Sequence, residues 1–246
     1  MADDDSRTSA GATTPRARAR ARTEAEILRI ARDHLVTTGA AGLSLRAIAR
    51  ELGVVSSAVY RYVRSRDELL TLLVVDCYRE LGNAVDSAMA EVPVDDHHAR
   101  FRSLGRAVRG WAIAEPASYA LLYGTPVPGY RAPGEQTVEP GTRVIRALIS
   151  LVESAWQADR LTVGPASPEP TSEALADDLV RIRDEFDLTV PDEVMVRTIL
   201  VWGALFGSIN FELFGQYGPD TITDAAGLFE QQLRVLAGTL GLSPTR

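Results

Sequence analysis

The chain of 246 residues contains one cysteine, no lysine and three histidines. A lone Cys77 excludes a disulfide framework and any cysteine-based metal site, and it fits a reducing cytoplasm. His97 and His98 are adjacent, so they diverge on a helix and cannot share a metal. No Gly-rich phosphate loop, nucleophile elbow or paired-carboxylate motif is found. Asp177-Asp178 and Asp184-Glu185 read as a solvated helix face. These absences argue against an enzyme and imply no cofactor. A membrane span needs ~20 consecutive apolar residues. The most apolar stretch, "ILVWGALFGSI" from Ile199 to Ile209, is bounded by Arg197 and Glu212. It reads as a helix buried on all sides, with a second chain as one candidate for part of its cover, and no membrane is implied. The first 25 residues carry Asp3, Asp4 and Asp5 with alternating arginines and no apolar core, so they are not a signal peptide. With lysine missing, all 26 basic residues are arginine, a bias that a GC-rich genome produces by itself.

Hydrophobic content of 46% and charged content of 24% are those of a soluble globular protein with a sizeable core. The formal charge of −7 conceals an asymmetry. Between Ser6 and Arg66 twelve arginines face four acids, a net of +8, which leaves −15 for the remainder. A basic first quarter on an acidic body suggests one module for a polyanion and another for something else.

Residues 1–22 are polar, with Pro15 and arginines at 16, 18, 20 and 22, and read as a disordered arm. From Thr23 the pattern turns helical, with Ile27, Ala31 and Leu35 four apart, until Gly39 and Gly42 stop it. Ser44 then caps a short helix over Leu45–Leu52, and Gly53 turns the chain. "SSAVYRYV", residues 56–63, forms the next short helix. Ser65 opens a long one, along which Leu69, Leu73, Cys77, Leu81, Val85 and Met89 recur every four residues. The body continues as helices near 95–114, 116–123, 142–160, 172–187, 191–216 and 224–240. Pro/Gly-rich connections are expected over 124–141 and 162–170. No stretch alternates cleanly enough for a strand, so the fold class is all-α. It divides into an arm (1–22), a helix-turn-helix domain (23–70) and a helical C-terminal domain (71–246).

Two short helices joined by a Gly turn after a longer one have the spacing of a helix-turn-helix, whose second short helix lies in the major groove. Val59 and Val63, four apart, pack that helix on the first two. Tyr60, Arg61 and Tyr62 are left projecting outward, where a phenol can donate to a phosphate and arginine can bond guanine. A purely structural three-helix turn with incidental tyrosines is the competing reading. A packaging or RNA-binding protein is a third, against which the acidic body argues.

"TEAEILRIARDHLVTTGAAGLSLRAIARELGVVSSAVYRYVRSRDELLTLL" resembles the DNA-binding domain of the TetR (tetracycline repressor) family of bacterial transcriptional regulators over residues 23–73. The matching points are Gly39, Leu43-Ser44, the "IAxELGV" pattern at 48–54, Tyr60, Tyr62 and "SRDELL" at 65–70. The resemblance implies that Arg46 contacts a base and that Ser56, Ser57, Ala58 and Arg61 face the groove. It places Tyr60, Tyr62 and Arg66 on phosphates, with Ser44 capping the second helix near the backbone. Val55, Tyr62 and Val63 stand where the family often has a hydroxyl residue, His and Phe. For the arm two readings stay open. Its arginines either reach together from an extended chain into a minor groove, or form a solvated tail.

"WAIAEPASYALLYGTPVPGY" (111–130) and "VWGALFGSINFELFGQYG" (201–218) are similar to the WHG-type C-terminal domain of one branch of the family, although its name-giving histidine falls on Phe206. By that resemblance the last two helices pair with their twins in a homodimer. Gly203, Gly207 and Ser208 would give close approach, and Leu228, Leu233, Leu236 and Leu240 apolar area. The same residues would serve an intramolecular core equally well. A pocket for a small-molecule effector is implied, with Trp111, Tyr119, Tyr123, Trp156, Phe206 and Asn210 as candidate lining. The expected function is a cytoplasmic, sequence-specific regulator. It is most simply a repressor released from a near-palindromic double-stranded DNA operator by a small, largely apolar ligand.

Overall fold

The computed structural model describes residues 14–162, 164 and 171–244. Residues 1–13 of the expected arm and nearly all of the expected loop at 162–170 lie outside the described residues. Among those described are ten α-helices, one short 3-10 turn (Ala40–Gly42) and no strand. The helices are α1 (Pro15–Thr38), α2 (Leu45–Glu51), α3 (Ser56–Tyr60), α4 (Arg66–Ala90) and α5 (His97–Ala114). There follow α6 (Pro116–Tyr123), α7 (Gly134–Gln157), α8 (Glu173–Phe186), α9 (Asp192–Leu213) and α10 (Ala225–Leu240).

Two helix starts depart from expectation. α1 begins at Pro15, not Thr23: the Thr14 side chain accepts from the Ala17 N–H at 3.2 Å, and Pro15 supplies a preset φ at the first helical position. Residues 15–22, expected in a disordered arm, are therefore its first two turns. α7 begins at Gly134 and runs through Pro140, converting half of the expected connection into helix. Pro140 sits in the second turn, so the helix loses only one backbone bond there.

The chain forms two compact units. The first holds the described residues up to Leu73 together with Val127–Tyr130, so the units part inside α4, three residues beyond the expected boundary. Its core is Ile27, Ile30, Ala31 and Leu35 of α1, Ile48 and Ala49 of α2, Val59 and Val63, and Leu69, Leu70 and Leu73 of α4. Gly39 ends α1 at φ +67° and Gly53 turns from α2 into α3 at φ +69°, the left-handed region that glycine enters without penalty. Ser65 caps α4 by accepting from the Glu68 N–H at 3.1 Å, and Glu68 reaches back to the Arg64 N–H at 2.5 Å, a reciprocal arrangement of the capping-box kind. Tyr130 belongs to this unit, its hydroxyl 3.1 Å from that of Thr71.

The second unit has its own core, to which α4 contributes Cys77, Leu81, Val85 and Met89. α5 packs against α6, α7, α9 and α10. It comes closest to α10 at Gly105, where an added Cβ would stand 2.4 Å from a Leu233 methyl carbon. Ion pairs fasten α5 to the last two helices: Arg109 to Glu212 at 2.5 Å, and Arg102 and Arg106 to Glu230 at 2.6 and 2.5 Å. The Arg106 hydrogen bond, opposed by burial and helped by Arg102, holds the Glu230 carboxyl down at about 2. A depressed carboxyl contributes stability that is present above its unfolded pKa, near 4.5, and lost as pH falls toward 2. Glu230→Gln should therefore cost about 1–3 kcal/mol at pH 6 and much less at pH 2. Urea unfolding at both pH values checks this, and an equal loss at both would remove the ion pair from the account.

Candidate nucleic-acid interface and ligand pocket

α2 and α3 are too short to persist alone, and each is held by a specific device. The Ser44 hydroxyl accepts from the Ala47 N–H at 3.4 Å, as expected of a cap, and is half-buried by that role. α3 has no side-chain cap at Val55 and ends at Tyr60, three residues earlier than expected. Tyr62 N–H and Val63 N–H close its last turn on the Val59 carbonyl. Burial of Val59 and Val63 fixes which way α3 faces. Ser57, Tyr60 and Arg61 are exposed as a result, Ser56 and Ala58 are half-buried, and Arg46 on α2 is exposed. One solvent-facing surface with two hydroxyls, a phenol and guanidinium groups is a hydrogen-bonding surface of the kind base edges and phosphates require.

Two expected contact residues have internal partners. The Arg66 guanidinium donates to the carbonyls of Ala40 and Ala41 at 3.0 and 3.3 Å, fastening the 3-10 turn to the start of α4. Tyr62 is half-buried, with the Arg20 guanidinium 5.3 Å from its ring centroid. That contact exists because residues 15–22 are helical. A helix turns 100° per residue, so the four arginines cannot share one face as they would in an extended arm. Arg16 and Arg20 lie on one side and Arg18 and Arg22 on the other.

In the second unit the expected pocket residues form a packed aromatic cluster. Tyr119 is fully buried, with ring centroids 6.5 Å from Trp111, 5.1 Å from Tyr123 and 6.5 Å from Phe206. Tyr123 and Trp202 lie 4.5 and 4.4 Å from Phe206. Burial raises the Tyr119 hydroxyl pKa and, with Tyr78 and Tyr119 nearby, that of Tyr123. Trp111 Nε1, Tyr119 Oη and Asn210 Oδ1 are buried without a hydrogen-bond partner among the described residues. Trp156 packs on the edge of the core outside this ring cluster.

A cavity of about 290 Å3 lies instead between α7, α8 and α9. Ile145, Ile149, Val152, Phe186, Met195 and Trp202 are among its walls, and its one polar wall residue, Thr198, spends its hydroxyl on the Val194 carbonyl at 2.7 Å. None of the expected pocket residues lines it. Its wall residues have ordinary core spacing on their helices, so the sequence offers no signal that separates them from packing. One wall is positioned by Glu153, 8% exposed, which accepts from the Thr189 hydroxyl, the Thr189 and Val190 N–H groups and Gln157. Burial alone would raise its carboxyl pKa, and these four bonds outweigh burial and lower it. Among the described residues no group of three or more His, Cys, Asp or Glu could hold a metal ion.

A capped helix, a glycine turn and a short helix with a polar outer face, in a basic unit that precedes an acidic helical unit, define a helix-turn-helix DNA-binding regulator. The family comparisons agree: "Bacterial regulatory proteins, tetR family" matches residues 27–73 and "Tetracyclin repressor-like, C-terminal domain" matches 101–236. The chain belongs to the TetR family of transcriptional regulators, which are DNA-binding proteins and not enzymes. It is 46% identical over 224 residues to the HTH-type transcriptional regulator Rv1816 of Mycobacterium tuberculosis, covering 90% of this chain and 94% of that one. A crystal structure of the protein SCO4313 is similar at a TM-score of 0.74 and 34% identity, covering 92% of this chain and 100% of that one. A protein of unknown function from Rhodococcus sp. RHA1 is similar at 0.61 and 25%, covering 87% and 94%.

Arg66→Ala should lower the unfolding free energy of the first unit by about 1.5–3 kcal/mol, the range for hydrogen bonds from a charged group. Denaturant unfolding measures it. An unchanged value would leave the two carbonyl bonds without consequence for stability.

Proposed function

We propose that this regulator is a dimeric repressor that leaves a near-palindromic operator when a small, largely apolar molecule enters the α7–α8–α9 cavity. The observation that carries the reading is the cavity itself: it is walled by aliphatic and aromatic side chains, and its only hydroxyl is already satisfied. Such a site rewards an uncharged apolar ligand and penalises a polar one. The first helical domain, 23–70, reads DNA in the cytoplasm through Arg46, Ser56, Ser57 and Ala58, with Tyr60 and Tyr62 on the backbone. The remainder, 71–246, binds ligand and dimerises.

The dimer reading is supported by the outer face of α9. Val196, Ile199, Leu200, Gly203, Gly207 and Phe211 form one stripe along it, and an added Cβ at either glycine would meet nothing within 4 Å. α9 is long and apolar enough to cross a membrane by length and composition. However, its other face, with Val194, Val201, Leu205 and Ile209, is buried in the core of its own unit, so a second copy is the simpler cover for the open stripe. Of the expected interface leucines on α10, Leu233, Leu236 and Leu240 are buried in the same core and Leu228 is half-buried, while Val235 is exposed. Two identical reading helices related by a two-fold axis then require an operator of the same symmetry.

α4 contributes residues to both cores, which makes it the route by which ligand and DNA can bias one equilibrium. Only differential affinity for two arrangements does this, with a coupling of about 1–3 kcal/mol. An uncharged apolar compound found by thermal-shift screening should bind several-fold more weakly in the presence of the selected operator duplex. Ile149→Trp, which fills the cavity, should abolish that binding and leave DNA affinity intact. Equal ligand affinity with and without operator would reduce the second unit to a dimerisation module. Arg46→Ala should cost about 1–3 kcal/mol on the selected duplex and relax preference at one base position. A uniform loss on all duplexes would exclude base reading.

A further inference from the structure

The face of α1 that buries Ile27, Ile30, Ala31 and Leu35 does not end where the three-helix core ends. Steps of three or four residues back from Ile27 lead along the same side of the helix through Thr23 to Arg20 and Arg16. Where α1 outruns the core, its inner stripe changes from aliphatic to cationic. Opposite it stands the end of α3, and between the two lies a groove of about 470 Å3 lined by Thr14, Arg16, Arg20, Thr23, Arg61 and Tyr62. The Arg20 guanidinium is held at its wall by the Tyr62 ring, 5.3 Å away, and by Glu24 at 2.8 Å. Arg16 and Arg61 are exposed there. Three guanidinium groups face one carboxylate, and the positive end of the α1 dipole adds to them. Arg61 follows the last residue of α3, at the opposite end of that helix from Ser56 and Ser57.

We propose that this groove holds a phosphodiester of the DNA backbone flanking the bases read by α3, with Arg16, Arg20 and Arg61 as its donors. The inference rests on the DNA-binding reading and extends it. Arg61 moves from base reading to backbone binding, and the arginines of α1 divide into a contacting pair, Arg16 and Arg20, and a pair on the other face, Arg18 and Arg22. Guanidinium suits the site because its fork of donors matches phosphate oxygens. The groove adjoins the reading helix, so the anion within reach is the duplex already bound.

The test uses the full chain and two duplexes, one carrying the site it selects from a random pool and one of random sequence. Binding is measured across a salt series for R16A/R20A, R18A/R22A, R61A and R16K/R20K. Alanine removes the charge without unwinding the helix, and circular dichroism verifies that. Each phosphate contact contributes roughly 0.9 to the slope of log affinity against log salt. R16A/R20A should therefore flatten the slope by about one unit per bound protomer, on both duplexes, with the ratio of their affinities unchanged. R61A should weaken both duplexes alike, R16K/R20K should keep the slope, and R18A/R22A should leave it unchanged. An unaltered slope in R16A/R20A, or equal flattening by the two alanine pairs, would overturn the groove while the parent still binds DNA. A base-selective loss in R61A would overturn its backbone role. A parent chain that binds neither duplex would instead overturn the DNA-binding reading, and the groove with it.

Discussion

The burial of Val59 and Val63 is the constraint on which the outward face of α3 depends. α3 has five residues, and helices shorter than ~12–15 residues are marginal in water on their own. It has no side-chain cap either, so its existence and its orientation both come from tertiary packing. Everything that faces outward, Ser57, Tyr60 and Arg61, does so because two valines four residues apart face inward. The supporting devices act on its neighbours: Ser44 caps α2, Gly53 makes the turn, and Ser65 with Glu68 starts α4. A rigid frame of this kind presents a short helix with little backbone freedom left to lose on binding.

The second unit is organised around a different balance. α9 is apolar on two opposite faces, one inside its own core and one open, which is why its composition alone cannot distinguish a core helix from an interface or a membrane helix. The ion pairs from α5 to Glu212 and Glu230 fix the helices around that core at their rims, where partial exposure limits the desolvation cost. Glu153 is the more buried carboxylate and accepts four hydrogen bonds, two of them from the backbone of the α8–α9 connection. A buried carboxylate with four donors holds that connection in one place, and with it part of the cavity wall.

Much was legible in the sequence. The all-α class, Ser44 as a cap, the Gly53 turn, the buried Val59 and Val63 and the four-residue repeat of α4 all follow from local rules of capping, turn chemistry and periodicity. The body helices fell within a few residues of their observed bounds except α7, where Pro140 suggested a connection and a second-turn proline was tolerated instead. The TetR resemblance over residues 23–73 rested on fixed spacings of this local kind, and the family match agrees with it.

What only the tertiary structure decided depends on contacts between residues far apart in the chain. Composition marked residues 15–22 as an arm, but a cap at Thr14 and the Tyr62 ring under Arg20 make them the start of α1, and helical geometry then sorts the arginines onto two faces. Arg66 was legible as a cation but not as the partner of Ala40 and Ala41, 26 and 25 residues earlier. The aromatic residues expected around a ligand pack on one another, because large rings gain most by close contact with other rings. The cavity lies instead among aliphatic positions whose spacing is that of any core. Sequence patterns record which side of a helix turns inward; whether the inward sides meet closely or leave a space is settled by the shapes that three separate helices bring together.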